Sequence, residues 1–236
     1  MKYEMTKNAD WSFFRVAELE EKGIVHGFCT GGTPWDLLSS KIKHDFLDAF
    51  LLKDAVVLTQ EHGSDVHVVC NGEMPHSGDG LIILEKNVAG IIKTADCLPV
   101  ILCDALYPMV SIVHAGWRGT VKNIVGKAVL SMVEYGSRTQ NIVALLGPSI
   151  GSCCYEVKGD VCAVFKKCGF PEHIFLRHSN ALFLDLKKAN EWVLSGYGIN
   201  EVYNVNLCTQ CNGTLFHSYR RGDTGKRQIN FVSIKG

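Results

Sequence analysis

The chain has no excess of either charge: its 236 residues carry 24 Lys and Arg against 24 Asp and Glu, with an isoelectric point near 7.1. Such a surface has no overall field to hold a polyanion, which argues against nucleic acid or an acidic membrane as partner and leaves a small or neutral one. Runs approaching the ~18 apolar residues that span a bilayer are lacking as well. The first twenty residues interleave Lys2, Glu4, Lys7, Asp10 and Arg15 with apolar positions, so no uninterrupted stretch serves as a secretory signal and a cytoplasmic location is expected. Low-complexity tracts, long Pro/Ser linkers and solenoid-period repeats are missing too, and 1–236 therefore reads as one continuous domain. Ten cysteines are present, but a chain of this size with 47% hydrophobic residues needs no disulfide framework; they read as free or metal-bound thiols.

Between residues 55 and 114 the sequence is rich in short apolar or β-branched runs bounded by turn residues. The pattern predicts strands at Ala55–Gln60, Val66–Cys70, Gly80–Leu84, Ala89–Lys93, Pro99–Cys103 and Val110–His114. From Gly119 the spacing turns helical, with Val121, Ile124, Val125, Ala128, Val129, Met132 and Val133 on one stripe and Gly136 as a stop. Further helices are predicted at Asp160–Cys168 and Asp185–Ser195, and strands at Ile142–Leu146, Val202–Leu207, Leu215–Tyr219 and Ile229–Ile234. This mixed order suggests an α+β fold in which helices cover sheets.

Three segments place a metal-competent residue at or just beyond a predicted strand end: Gln60-Glu61-His62-Gly63, Thr94-Ala95-Asp96-Cys97 and His114-Ala115-Gly116-Trp117-Arg118-Gly119. One thiolate and two imidazoles suit Zn²⁺, and three protein ligands leave a fourth position open, as in catalytic zinc sites. The spacing matches no local zinc motif, so Cys97 as a small buried hydrophobe and His62 and His114 as core histidines stand beside that reading. Gln60, if the strand continues, shares a face with His62 and orients water or a base; Asp96 needs a bulge or strand end to serve as acid/base.

The glycine-flanked turn after His114 leads into a helix start, which suits an anion, and Arg118 can add a bidentate contact; a plain strand-to-helix connection is the alternative. Ser218–Arg227 is the only dense basic stretch, and Arg220 is a second phosphate candidate unless the segment is an ordinary hairpin tip. Strand parity would point Tyr219 and Arg220 to opposite faces. Asp79, in Gly78-Asp79-Gly80, is positioned to bond a ligand unless it only shapes a turn. Cys208-Thr209-Gln210-Cys211 has the gap of a zinc or redox pair without a matching Cys-x-x-Cys or His pair elsewhere, and adjacent Cys153-Cys154 read as core.

Together these pieces resemble the laccase-domain family, whose members are described as polyphenol oxidases or as purine nucleoside phosphorylases and adenosine deaminases. The resemblance rests on Gln60–Val66, Asp79–Ile82, Thr94–Pro99, His114–Thr120, Gly147–Gly151 through Cys154–Val157, Asp185-Leu186, Cys208-Thr209 and Ser218–Arg221, in family order over residues 60–227. It implies a single-domain four-layer α/β/β/α sandwich with mixed sheets and one Zn²⁺ per chain held by His62, Cys97 and His114. It also implies phosphorolysis of adenosine, inosine, guanosine and methylthioadenosine and deamination of adenosine, with purine nucleosides and phosphate as partners of a monomer or small homo-oligomer. Departures fall mainly near the N-terminus: Phe28-Cys29-Thr30-Gly31-Gly32 lacks the arginine usual there, and the following segment shrinks to Pro34–Lys43. Near the end, the usual Thr-Gly-Arg becomes Thr224-Gly225-Lys226, with Arg227 one position later.

Three other activities fit parts of this pattern. Cys97 with His114 would make the nucleophile–base pair of a metal-free cysteine hydrolase or deamidase. A binding or editing role toward cell-wall precursors is suggested for some bacterial relatives. Copper-dependent phenol oxidation would require several copper centres, whereas ligands for only one are apparent.

Overall fold

The computed structural model describes residues 2–34, 36, 39–70, 72, 75–178 and 180–236. Within the shortened Pro34–Lys43 segment, positions 35, 37 and 38 lie outside the described residues. The chain begins with the antiparallel pair β1 (Tyr3–Asn8) and β2 (Trp11–Val16), followed by α1 (Ala17–Glu21), β3 (Ile24–Cys29), α2 (Ser40–Phe50) and β4 (Asp54–Val57). Five strands follow in the strand-rich region: β5 (Val66–Val69), β6 (Gly80–Ile83), β7 (Val88–Thr94), β8 (Leu98–Asp104) and β9 (Met109–Ala115). Next come α3 (Trp117–Val121), α4 (Ile124–Glu134), β10 (Ile142–Leu146), β11 (Glu156–Val157) and α5 (Gly159–Lys167). The last elements are β12 (Phe175–His178), β13 (Ala181–Leu184), α6 (Leu186–Gly196), β14 (Glu201–Asn204) and β15 (Gln228–Ile234).

Two six-stranded mixed sheets result, one in the order β1-β2-β3-β15-β7-β4 and the other β14-β10-β8-β9-β6-β5; β11, β13 and β12 make a small third sheet. The parallel pairs are β4 with β7, β5 with β6 and β10 with β14. Strands β7, β8, β9 and β15 are buried on nearly every position, because both of their faces are covered. Between the large sheets lies a cluster including Phe28, Leu81, Ile92, Ile101, Ile112, Leu145 and Val232. The outer face of the first sheet packs Phe13, Ile91 and Phe231 against Phe46 and Phe50 of α2. That of the second packs Ile82, Val100 and Val113 against Ile124, Ala128 and Met132 of α4 and Ala189 and Val193 of α6. The layering is α/β/β/α, as expected.

Two sequence expectations change. The single helix after Gly119 is two, because Asn123 takes a left-handed φ of 61° between α3 and α4 and turns the axis. Its side-chain amide donates to the Tyr197 hydroxyl (2.7 Å), a contact across 74 positions that no local pattern encodes. Leu215–Tyr219 is not a strand; it is a run of turns held by side chains, so neither the hairpin nor the strand parity proposed for Tyr219 and Arg220 applies.

Candidate metal centre and active site

His62 and Cys97 lie on connections that carry the chain from one large sheet to the other, His62 between β4 and β5 and Cys97 between β7 and β8. His114 lies near the end of β9, whose register sets it opposite Pro99 of β8. The sandwich rim therefore gathers residues up to 52 positions apart in sequence. The ligand-capable atoms of His62, Cys97 and His114 all lie within 4.8 Å of one another, and the two imidazoles meet edge-on with centroids 4.8 Å apart.

Backbone geometry at the site is unusual. His62 has φ 57° and Asp96 φ 89°, both in the left-handed region that non-glycine residues avoid. Such strain persists only where surrounding bonds over-determine it. Asp79, 1% exposed, supplies those bonds for His62: its carboxylate accepts the N–H groups of Glu61 (3.2 Å), His62 (3.0 Å) and Gly63 (2.6 Å). The same carboxylate bonds His114 Nδ1 at 2.8 Å, which leaves Nε2 for a metal. Burial pushes the Asp79 carboxyl up, but the His114 bond and the Gly63 and Glu61 amides outweigh it and hold it below the ordinary range. Asp79 thus positions two candidate ligands and has no oxygen left for the substrate contact suggested by sequence.

Asp96 is similarly occupied. Its carboxylate accepts from Thr209 Oγ1 (2.6 Å), Ser218 Oγ (3.1 Å) and the Arg220 amide (2.7 Å), so it ties the 209–220 turns to the connection carrying Cys97. With these three donors on it, the carboxylate is poorly placed for the acid/base role read from sequence. Gln60 also differs from expectation: β4 ends at Val57, and the Gln60 amide clamps both backbone groups of Lys93, donating to its carbonyl (2.9 Å) and accepting its N–H (2.7 Å).

Burial pushes the Cys97 thiol up, yet the charge and hydrogen bond of His114, with those of His62, bring it down to about 6. His114 is pushed down by burial and raised to about 9 by Cys97 and Asp79. A thiolate beside two imidazoles is a donor set that fits a borderline-soft divalent metal. A Cβ on Gly116 would stand 3.0 Å from Cys97 Sγ and 3.6 Å from His62 Cδ2, so the glycine that opens α3 also lets the cluster close.

These groups line one side of a cavity of about 780 Å³, within the range of small-molecule sites. Four cations, Lys93, Arg118, Arg220 and Arg227, reach its wall, as do the aromatic rings of Trp117, Tyr155 and Tyr219. Arg118 lies 4.5 Å over the Trp117 ring and Arg220 5.5 Å from that of Tyr155. Arg220 also donates to the carbonyls of Glu156 (3.0 Å) and Cys154 (3.4 Å). Tyr219 and Arg220 both line the cavity because the chain turns there. Sequence reasoning did not name Lys93, Tyr155 or Arg227 as site residues; Tyr155 lay inside the Cys154–Val157 stretch of the resemblance, and Arg227 was the arginine displaced from the Thr-Gly-Arg pattern.

A family model described as multi-copper polyphenol oxidoreductase laccase matches residues 42–235. The chain is 37% identical over 180 residues to a protein of Deinococcus radiodurans named purine nucleoside phosphorylase, covering 75% of this chain and 69% of that one. It is 32% identical over 182 residues to human purine nucleoside phosphorylase LACC1, covering 74% of this chain but only 42% of the human protein, less than half its length. A protein from an unknown prokaryotic organism named adenosine deaminase RL5 is 34% identical over 185 residues, covering 72% of this chain and 71% of that one. Among solved structures, that of the hypothetical protein YfiH from Bacillus licheniformis superposes with a TM-score of 0.86 at 26% identity, covering 98% of this chain and 99% of that one.

Proposed function

The chain belongs to the family described as multi-copper polyphenol oxidoreductase laccase, and from that membership and the geometry of the rim we propose that residues 1–236 act as one domain, a zinc-dependent purine nucleoside phosphorylase. The observation that carries this reading is the composition of the cavity wall: four cations and three aromatic rings surround the His62, Cys97 and His114 cluster, and Asp96, the only lining carboxylate among the described residues, is bound by three donors. Such a wall favours an anion and a planar base together.

In the proposed reaction a phosphate oxygen attacks C1′ of the nucleoside, the bond from C1′ to the purine nitrogen breaks, and its electron pair leaves with the base, which takes up a proton. Arg118, Arg220, Lys93 and Arg227 hold the phosphate and screen its charge from the sugar. Trp117, Tyr155 and Tyr219 offer stacking surfaces for the purine. Asp79 keeps the His114 ring in the orientation and tautomer its position requires. A zinc ion held by His62, Cys97 and His114 would supply Lewis acidity, or an activated water, at the edge of this cavity.

Two of those features bear on the rival reactions. Hydrolytic deamination of adenosine needs a carboxylic acid to shuttle protons to the departing ammonia, and the engagement of Asp96 ranks that activity second. Oxygen reduction by several coppers needs more imidazole clusters than the single one found among the described residues. A metal-free hydrolase has one specific support, since Asp79, His114 and Cys97 line up as orienter, base and thiol.

Metal analysis with nucleoside assays separates these. Wild-type protein purified without added metal is expected to hold zinc at this cluster and to release adenine and ribose 1-phosphate from adenosine only with phosphate. The Cys97→Ala variant is expected to lose both that zinc and turnover. Inosine formed without phosphate would instead identify a deaminase, and turnover by wild-type protein with no zinc at the cluster would move the assignment to cysteine chemistry.

A further inference from the structure

All ten cysteines are unpaired, and four converge away from the catalytic cluster. Cys153 and Cys154 lie in the turns after β10, and Cys208 and Cys211 in those after β14. A bridge between Ser149 and Cys208, with the Thr209 amide donating to the Ser149 carbonyl (3.0 Å), sets the two segments side by side. The adjacent pair is therefore the partner that Cys208-x-x-Cys211 lacked in the sequence, and it is not core: Cys153 is exposed and Cys154 half-buried.

Cys211 Sγ lies 3.3 Å from Cys154 Sγ and 3.6 Å from Cys153 Sγ, and all four sulfurs fall within 4.8 Å of one another. Four thiolates about 2.3 Å from one tetrahedral ion stand roughly 3.8 Å apart, which this spacing matches. Thiolates bound to separate irons of a cluster stand farther apart. The Gly151 amide donates to Cys208 Sγ (3.2 Å), and the Asn212 amide and side chain both close on the Cys208 carbonyl (3.1 and 2.8 Å), so the turn is shaped around the sulfur.

We propose that Cys153, Cys154, Cys208 and Cys211 form a second metal site, a closed tetrathiolate zinc centre that staples the turns after β10 to those after β14. Four protein ligands leave no open position, so the role is structural. Each thiol gives its proton to solvent as the ion binds. The countercharge comes from Arg220 and Arg221, whose guanidinium groups reach the carbonyls of Cys154 and Thr209. What the staple holds is the cavity wall, for Ile150 and Tyr155 come from one segment and Tyr219 and Arg220 from the other.

The test counts zinc in untagged wild-type, Cys97→Ala and Cys208→Ser/Cys211→Ser proteins purified under reducing conditions. About two zinc ions per chain are expected in the wild type and about one in each variant. Zinc-edge X-ray absorption of Cys97→Ala should show four sulfur neighbours near 2.3 Å, and its cobalt-substituted form intense sulfur-to-cobalt charge transfer. That arm needs no cysteine-cluster variant to fold, and it stands whether or not the catalytic cluster turns over nucleosides. A Cys97→Ala protein free of metal, iron in place of zinc, or a disulfide joining the two segments in reduced preparations would overturn the proposal.

Discussion

Asp79 shows how much one side chain organises here. It spans two candidate ligands, orienting one ring and fixing the backbone of the other, while its own side chain is buried. Asp79→Asn preserves size but replaces one accepting oxygen with an amide that faces other donors. Zinc affinity at the catalytic cluster is expected to fall about 10–100-fold, read by competition with a chelating dye, while the tetrathiolate zinc stays bound. An unchanged affinity would reduce Asp79 to a turn residue. Sequence alone singled out Asp79, as a turn residue or a ligand contact, but not its bonds to His62 and His114, because which way a buried carboxylate points depends on segments 17 and 35 positions away. Cys97 and His114 were legible because each sits where a strand ends, and strand ends are visible in the alternation of apolar runs; His62 lies on the connection beyond β4, where only its motif marked it.

The elements owe their precise docking to a few close approaches. On β3, Gly27 pairs with Phe231 of β15, and a Cβ there would stand 2.5 Å from the Phe231 ring and 2.7 Å from Phe13. Both rings are locked among Phe46 and Phe50 of α2, so neither can yield. Gly27→Ala is expected to cost about 1–3 kcal/mol, a fall of roughly 2–12 °C in Tm for a chain of this length, with little change in turnover at low temperature. An unaltered melting curve would mean that the first sheet repacks freely. Strands β5 to β10 and helices α5 and α6 were readable within a residue or two, since their apolar spacing reflects burial directly. The break at Asn123 and the loss of a strand at Leu215–Tyr219 were not, because side-chain bonds to Tyr197 and Asp96 decide them.

For the whole molecule, stability must fall with acid in a window set by His26. Burial lowers this imidazole from 6.5 to about 4, and the neutral ring accepts the Val16 amide at Nε2 (3.0 Å) while Nδ1 donates to the Ile24 carbonyl (3.1 Å). Because the unfolded chain takes up a proton first, the contribution is complete above pH 6.5 and is lost as the pH drops through 4, up to about 3 kcal/mol. Urea unfolding from pH 7 to 4.5 should therefore show a shallower loss for His26→Gln than for the wild type; parallel curves would refute the assignment. The sequence by itself determined the class of fold and the donor set of the candidate metal cluster, since apolar periodicity encodes layers and the motifs carry the His and Cys residues. Only the tertiary structure decided which donors engage Asp79 and Asp96, that the cavity wall is cationic and aromatic, and that Cys153 and Cys154 meet Cys208 and Cys211. Each of those outcomes depends on contacts between segments distant in the chain, whose direction follows from sheet order and from turns that local spacing leaves open.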